Sequence, residues 1–179
     1  MIKIMADSTC DLSQDILDTY DISIAPLVVN IDGKTYKDRV DITADQFYSF
    51  METLETPPTT GMPSPSSYLE IMNKAVDNGQ EEILCICMSS GTSGAYQSAV
   101  LAKDYFYEEH PGSTVKIHVV DSKSMSHGSG WLLLKSAKLR AQGATYHELI
   151  DFCETYKANV KHFLTVDDLN HLLRSGRLS

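Results

Sequence analysis

No apolar run in the sequence approaches the about 18 residues that a membrane-spanning helix needs. The opening MIKIMADST is not a secretory leader, so a cytoplasmic protein without membrane insertion is expected. Positive charge is scarce: 15 Lys and Arg stand against 24 Asp and Glu, a formal net charge of −9. That argues against a nucleic-acid backbone as partner and disfavours docking to anionic lipid. Neither GxGxxG nor GxxxxGK(S/T) occurs, which removes the two common phosphate cradles. The six histidines are scattered, with no HxxxH or HExxH, so no metal centre is expected. No CxxC occurs among the four cysteines. Cys85 and Cys87 alternate along an apolar run and share a face, while Cys10 and Cys153 stand alone. All four are expected to be buried, reduced thiols. Low-complexity tracts and repeats are missing as well.

What remains is an ordinary globular composition over 179 residues, 42% hydrophobic and 22% charged. Short apolar runs alternate with capped amphipathic segments. IKIMA (Ile2–Ala6), ISIAPLVVNI (Ile22–Ile31), ILCICM (Ile83–Met88), VKIHVVD (Val115–Asp121) and HFLTV (His162–Val166) read as strands. Asp32-Gly33 reads as a hairpin turn. Asp11 with Gln14, Thr43 with Gln46 and Thr145 with Glu148 have capping-box spacing. Ser64-Pro65 opens a helix that Gly79 closes. Phe47, Phe50, Met51 and Leu54 recur at helical spacing and are expected to face the core. Asp167 is expected to cap a last short helix that stops at Gly176. There Leu169, Leu172 and Leu173 share a face expected to pack inward, and Arg174 sits in the last turn. The fold expected is α/β: a Rossmann-like parallel β-sheet with helices on both faces.

In such sheets ligands sit beyond the carboxyl ends of the strands. Four segments should meet there: Asp7-Ser8-Thr9, Thr59–Pro63, Ser89–Gly94 and Asp121-Ser122. The stretch ILCICMSSGTSGAYQSAV carries the main signal, a buried strand turning through Ser and Gly into a helix N-terminus. Without a Lys or Arg, SSGTSG suits a single negative charge such as a carboxylate better than a polyphosphate. The plainer reading is that these residues only make the turn and cap the helix. GTSGA at 91–95 also falls one residue short of GxSxG, and Asp121 and His127 follow in hydrolase order. A Ser93-dependent hydrolase of α/β type is therefore an alternative. Asp7 and Asp121 have the composition of a Mg²⁺ site, although hydrogen bonds from their own turns explain them more simply.

ADSTCDL (6–12), TTGMPSP (59–65), SSGTSGAYQSA (89–99), VVDSKSMSHGSG (119–130) and DDLNHLLRSGRLS (167–179) together resemble the DegV family of bacterial proteins. That family includes the fatty-acid-binding subunits of the bacterial fatty acid kinase. The resemblance implies a Rossmann-like lipid-binding domain over 1–160 and the start of a second α/β domain over 161–179. It implies a long-chain fatty acid as ligand, no cofactor, no catalytic residue, and a fatty acid kinase catalytic subunit as partner. Thr60 and Ser93 carry over as carboxylate contacts, with Ser89, Thr92 and Gly94 beside them. Arg174 and Arg177 carry over as residues near the head group where the kinase docks. Gly61-Met62 departs from the polar pair usual in the family's threonine loop. Family members also run on past RSGRLS and add a histidine to the site. A chain ending at Ser179 would hold half of it.

Overall fold

The computed structural model describes residues 1–163 apart from 52 and 55, together with 165, 166, 169, 170, 173 and 176. Four parallel strands form the main sheet: β1 (Ile2–Asp7), β2 (Ile22–Ala25), β6 (Glu82–Cys87) and β7 (Lys116–Asp121), in the order β2-β1-β6-β7. A strand buried on both faces has no polar side, and β6 accordingly reads EILCIC with every residue after Glu82 buried. Its period-two alternation feeds two cores. Leu84 and Ile86 join Ile4, Ala6, Leu132, Leu133 and Leu149 on the side of α5 (His127–Ala141) and α6 (Tyr146–Tyr156). Ile83, Cys85 and Cys87 join Met5, Tyr68, Met72, Ala102 and Phe106 on the side of α3 (Pro65–Asp77) and α4 (Ala95–Glu109). The expected α/β architecture with helices on both faces is the one found.

All four cysteines are free and buried. Cys85 and Cys87 do share a face, their sulfurs 3.6 Å apart. Burial raises the Cys153 thiol to about 11, so it stays protonated at neutral pH.

A second sheet was not expected. The run 22–31 is two strands, because Pro26 has no N–H for the ladder and the chain turns out of the parallel sheet there. Leu27 N is held instead by Ser8 Oγ at 3.1 Å. β3 (Val28–Ile31) then pairs antiparallel with β4 (Lys34–Lys37) and β5 (Thr59–Gly61), in the order β4-β3-β5. Asp32 and Gly33 make the expected hairpin turn, both at positive φ (46° and 78°), as a type I′ turn requires.

Local signals were otherwise mostly sound. Thr43 N donates to Gln46 Oε1 at 2.9 Å and Gln46 N to Thr43 Oγ1 at 3.3 Å, opening α2 (Ala44–Met51). Ser64 caps α3 by accepting from Ser67 N at 3.2 Å. Thr145 and Glu148 form the expected capping box of α6. Four expectations need correction. Asp11 does not cap α1 (Gln14–Thr19). It ends the single 3₁₀ turn Ser8–Cys10 in the left-handed conformation, and Ser13 is the N-cap. No described residue of α2 is buried: Phe50 and Met51 are exposed, and Phe50 meets Tyr36 of the small sheet with ring centroids 6.3 Å apart. The described residues of 162–166 are not in a strand, and Phe163 is almost wholly exposed. Leu169 and Leu173, expected to pack inward, are exposed as well. The expected Asp167 cap, Leu172, Arg174 and Arg177 lie outside the described residues.

Candidate functional site

β1, β6 and β7 all end at one edge, and a side chain holds each exit. Asp7, at the end of β1, accepts from Met88 N at 2.7 Å and from Thr9 N at 3.2 Å. Asp121, at the end of β7, accepts from Ser90 N at 3.1 Å, from Ser90 Oγ, and from Lys123 Nζ at 2.7 Å. The backbone leaving β6 is thus clamped between two carboxylates. Their electrostatics differ. Burial pushes Asp7 up, against the hydrogen bonds from Thr9 and Met88. Burial works the same way on Asp121, but the bonds from Lys123 and Ser90 outweigh it and hold the carboxyl at about 2. Both aspartates accept from their own turn, as the simpler reading anticipated, and both reach the neighbouring strand as well.

The clamp fixes the turn 89–94. Thr92 N and Ser93 N both donate to Ser89 O, at 3.0 and 3.1 Å, and Gly94 precedes α4 as its N-cap. The hydroxyls are used unequally. Thr92 Oγ1 donates to Ser89 O at 3.1 Å, so its proton is spent within the turn. Ser93 Oγ accepts from Ala95 N and Ser89 Oγ from Gly91 N, each at 3.2 Å. Accepting leaves the proton of each serine to donate elsewhere. Both serines are half-buried at the N-terminal, electropositive end of a 15-residue helix without an acidic residue in its first turn.

The threonine loop is fastened to the same helix. Pro63 O accepts from Ser98 Oγ at 2.6 Å. Met62 lays its thioether where a Cβ on Gly94 would stand, so only glycine permits that approach. The structure therefore brings the loop bearing Thr60 and the turn bearing Ser89, Thr92, Ser93 and Gly94 together at one end of α4. The hydrolase arrangement is not assembled. Ser93 pairs with Ala95, Asp121 with Ser90 and Lys123, and His127 Nδ1 lies 3.3 Å from Ser126 Oγ.

Beneath Thr60, between the two sheets and α2, lies a cavity of about 430 Å³. Val29 lines it from the second sheet and Leu27 from the segment leading into it, Ile42, Phe47 and Tyr48 from the entry and face of α2, Met88 from the end of β6 and Met125 from the loop before α5. Thr60 is the member of the expected set that borders this cavity. Ser89, Thr92, Ser93 and Gly94 stand outside its lining. The sequence reading assigned none of the apolar wall to a cavity. The α2 signal was present and was assigned to the core: Phe47 meets a cavity where the pattern implied packed neighbours.

A four-stranded parallel sheet, a small antiparallel sheet over its edge, and a hydroxyl-rimmed apolar cavity between them define an α/β module. The DegV family model, described as that of an uncharacterised protein family, matches residues 1–179. The chain belongs to the DegV family. A DegV domain-containing protein of Clostridium acetobutylicum is 38% identical over 178 residues, covering 99% of this chain and 61% of that protein. A stearic acid-binding protein from Eubacterium ventriosum superposes with a TM-score of 0.90 at 33% identity, over 99% of this chain and 60% of its own. A fatty-acid-binding DegV family protein from Thermus thermophilus superposes with a TM-score of 0.83 at 31% identity, over 99% of this chain and 60% of its own. The chain spans about three-fifths of the length of these relatives.

Among the described residues no helix is long and apolar enough to cross a membrane. Nor, among them, does any group of three or more His, Cys, Asp or Glu gather as metal ligands.

Proposed function

We propose that this protein binds a long-chain fatty acid, its tail in the 430 Å³ cavity and its carboxylate against hydroxyls of Thr60, Ser93 and Ser89. The cavity carries the reading: its walls are largely apolar and a threonine hydroxyl stands at its rim, as pockets for amphipathic ligands are built. Each buried methylene contributes about 0.8 kcal/mol, so affinity comes from the tail. A carboxylate taken from water needs donors, and the turn offers two serine protons beside helix amides. Thr92, with its proton engaged, is the weaker candidate. Gly94 serves by seating Met62. The fatty-acid-binding relatives, alike in fold, support the same reading.

The protein in this view is a cytoplasmic carrier without cofactor or catalytic residue. It presents the carboxylate to a fatty acid kinase catalytic subunit, which makes the acyl phosphate. Residues 1–160 are the lipid-binding domain, and 161–179 begin a second domain. Arg174 and Arg177 give an acidic protein a local positive spot at which the kinase docks.

The test is organic extraction of purified full-length protein followed by mass spectrometry. Stoichiometric fatty acid is expected, and recovery of none, with no uptake of added acid, overturns the proposal. Fluorophosphonate labelling of Ser93 would replace the carrier with the hydrolase.

A further inference from the structure

Met125 and Ser126 border two cavities at once. On one side is the 430 Å³ cavity under Thr60. On the other is a larger one of about 550 Å³, lined by Trp131, Tyr156, Val160 and Phe163. The walls of both are largely apolar side chains, so each suits hydrocarbon. We propose that Met125 and Ser126 form a partition between these cavities, and that the partition sets the length of acyl tail the protein accepts. The inference rests on the fatty-acid reading and adds a specificity-determining wall to it.

The backbone at this wall is held in place against its preference. Ser126 sits at φ 52°, ψ −135°, a region that a residue with a Cβ rarely occupies. Such a conformation persists only where the surroundings enforce it. Three contacts do so. Ser126 Oγ donates to Asp11 Oδ2 at 2.5 Å, across to the 3₁₀ turn after β1. Gly130, one turn on, packs against the carbonyl oxygen of Cys10 with no room for a Cβ. Behind, His162 lies over Gly128 and pairs through Nε2 with Ser124 Oγ at 3.1 Å. The main chain of the partition is therefore fixed, and what is free to adapt is the half-buried Met125 side chain. Methionine is unbranched, with three rotatable bonds and a polarizable sulfur, and it fills irregular gaps well. It is suited to act as the adjustable end-stop of the first cavity.

Size makes the stop matter. A methylene takes up roughly the space of one water in the liquid, about 30 Å³. The first cavity thus holds on the order of a dozen carbons at the packing density of a protein interior. A longer tail must pass Met125 and continue beneath Trp131. Affinity should rise about fourfold per added methylene until the tail meets the stop, and flatten there.

The experiment measures dissociation constants for a series of saturated fatty acids from ten to twenty carbons, on full-length protein. Wild type, Met125→Ala, Met125→Phe and Met125→Leu are compared. The break in the curve is expected several carbons later in Met125→Ala and earlier in Met125→Phe. In Met125→Leu, which keeps the volume, it should stay in place. A break at the same length in all four proteins overturns the partition while leaving fatty acid binding intact. Absence of binding at every length in wild type overturns the fatty-acid reading itself. Thermal midpoints identify a variant that fails to fold, and the two remaining substitutions still decide the outcome.

Discussion

The two sheets follow opposite rules. Every strand of the parallel sheet is paired, and its central members are buried on both faces. The antiparallel sheet buries one residue of β3, Ile31, and none of β4 or β5. Over it lies α2, amphipathic and without a buried residue. The first region has its hydrophobic partners built in. The second leaves Phe47, Tyr48 and Val29 facing a cavity, the one proposed to hold the acyl tail. A rigid frame carrying an under-packed cap is what a binding module needs, since elements that admit a ligand come from the low-stability end of a fold.

Truncating the frame should have the largest effect. Phe106→Ala removes a fully buried ring between α4 and the sheet and should destabilise the protein by about 3–5 kcal/mol in denaturant unfolding. A loss under 1 kcal/mol would mean the frame is no better packed than the cap.

At the junction of the two regions, Ser93→Ala and Thr60→Val should each weaken fatty acid binding, with little change in stability. A hydrogen bond to a charged group is worth about 1.5–3 kcal/mol, roughly ten- to hundredfold in affinity. Isothermal titration with full-length protein checks this, and unchanged affinity in both variants refutes the carboxylate assignment.

The frame should also carry the acid sensitivity. Asp121 is held at about 2 in the folded protein, below its ordinary 3.8. Its stabilising contribution is therefore complete above about pH 4 and is lost as pH falls toward 2. Asp7 runs the other way, because its raised value favours the folded state as pH drops through it. Asp121→Asn should flatten the unfolding free energy between pH 4 and pH 2, and an unaltered acid limb would show that the clamp is not electrostatic.

The smallest effect on stability is expected in the cap. Phe47→Ala should cost about 1 kcal/mol or less in the ligand-free protein. It should nonetheless reduce the extra stability gained on adding fatty acid, measured as a thermal shift. Equal losses from Phe47→Ala and Phe106→Ala would erase the distinction between the two regions.

This distinction also marks what could be read in the sequence. The run ILCICM announced a doubly buried parallel strand, because only such a strand lacks a polar face. The capping boxes at Thr43 and Thr145 were legible because they are closed by residues three apart. Phe47, Phe50 and Met51 were misread because hydrophobic periodicity reports which face avoids water and says nothing of what covers it. The second sheet was hidden by the single apolar run across Pro26. At the site, the sequence placed the serine turn and threonine loop side by side. It could not distribute the hydroxyl protons, which depend on the geometry of Ser89 O, Gly91 N and Ala95 N. Nor could it find the cavity wall, whose members come from six separated segments.

The pairing of β1 with β6 has a consequence for how the protein comes into being. β1 leaves the ribosome before both of its neighbours, and it is hydrogen-bonded on one side to residues 22–25 and on the other to residues 82–86. Its β2 side can close early, through α1. Its other edge must wait until translation has delivered β6, and the Asp7–Met88 bond closes a separation of 81 residues. During that interval IKIMA presents an open, apolar strand edge, the kind that pairs with other chains. Nascent chains halted between β2 and β6 should therefore be the species most in need of a chaperone.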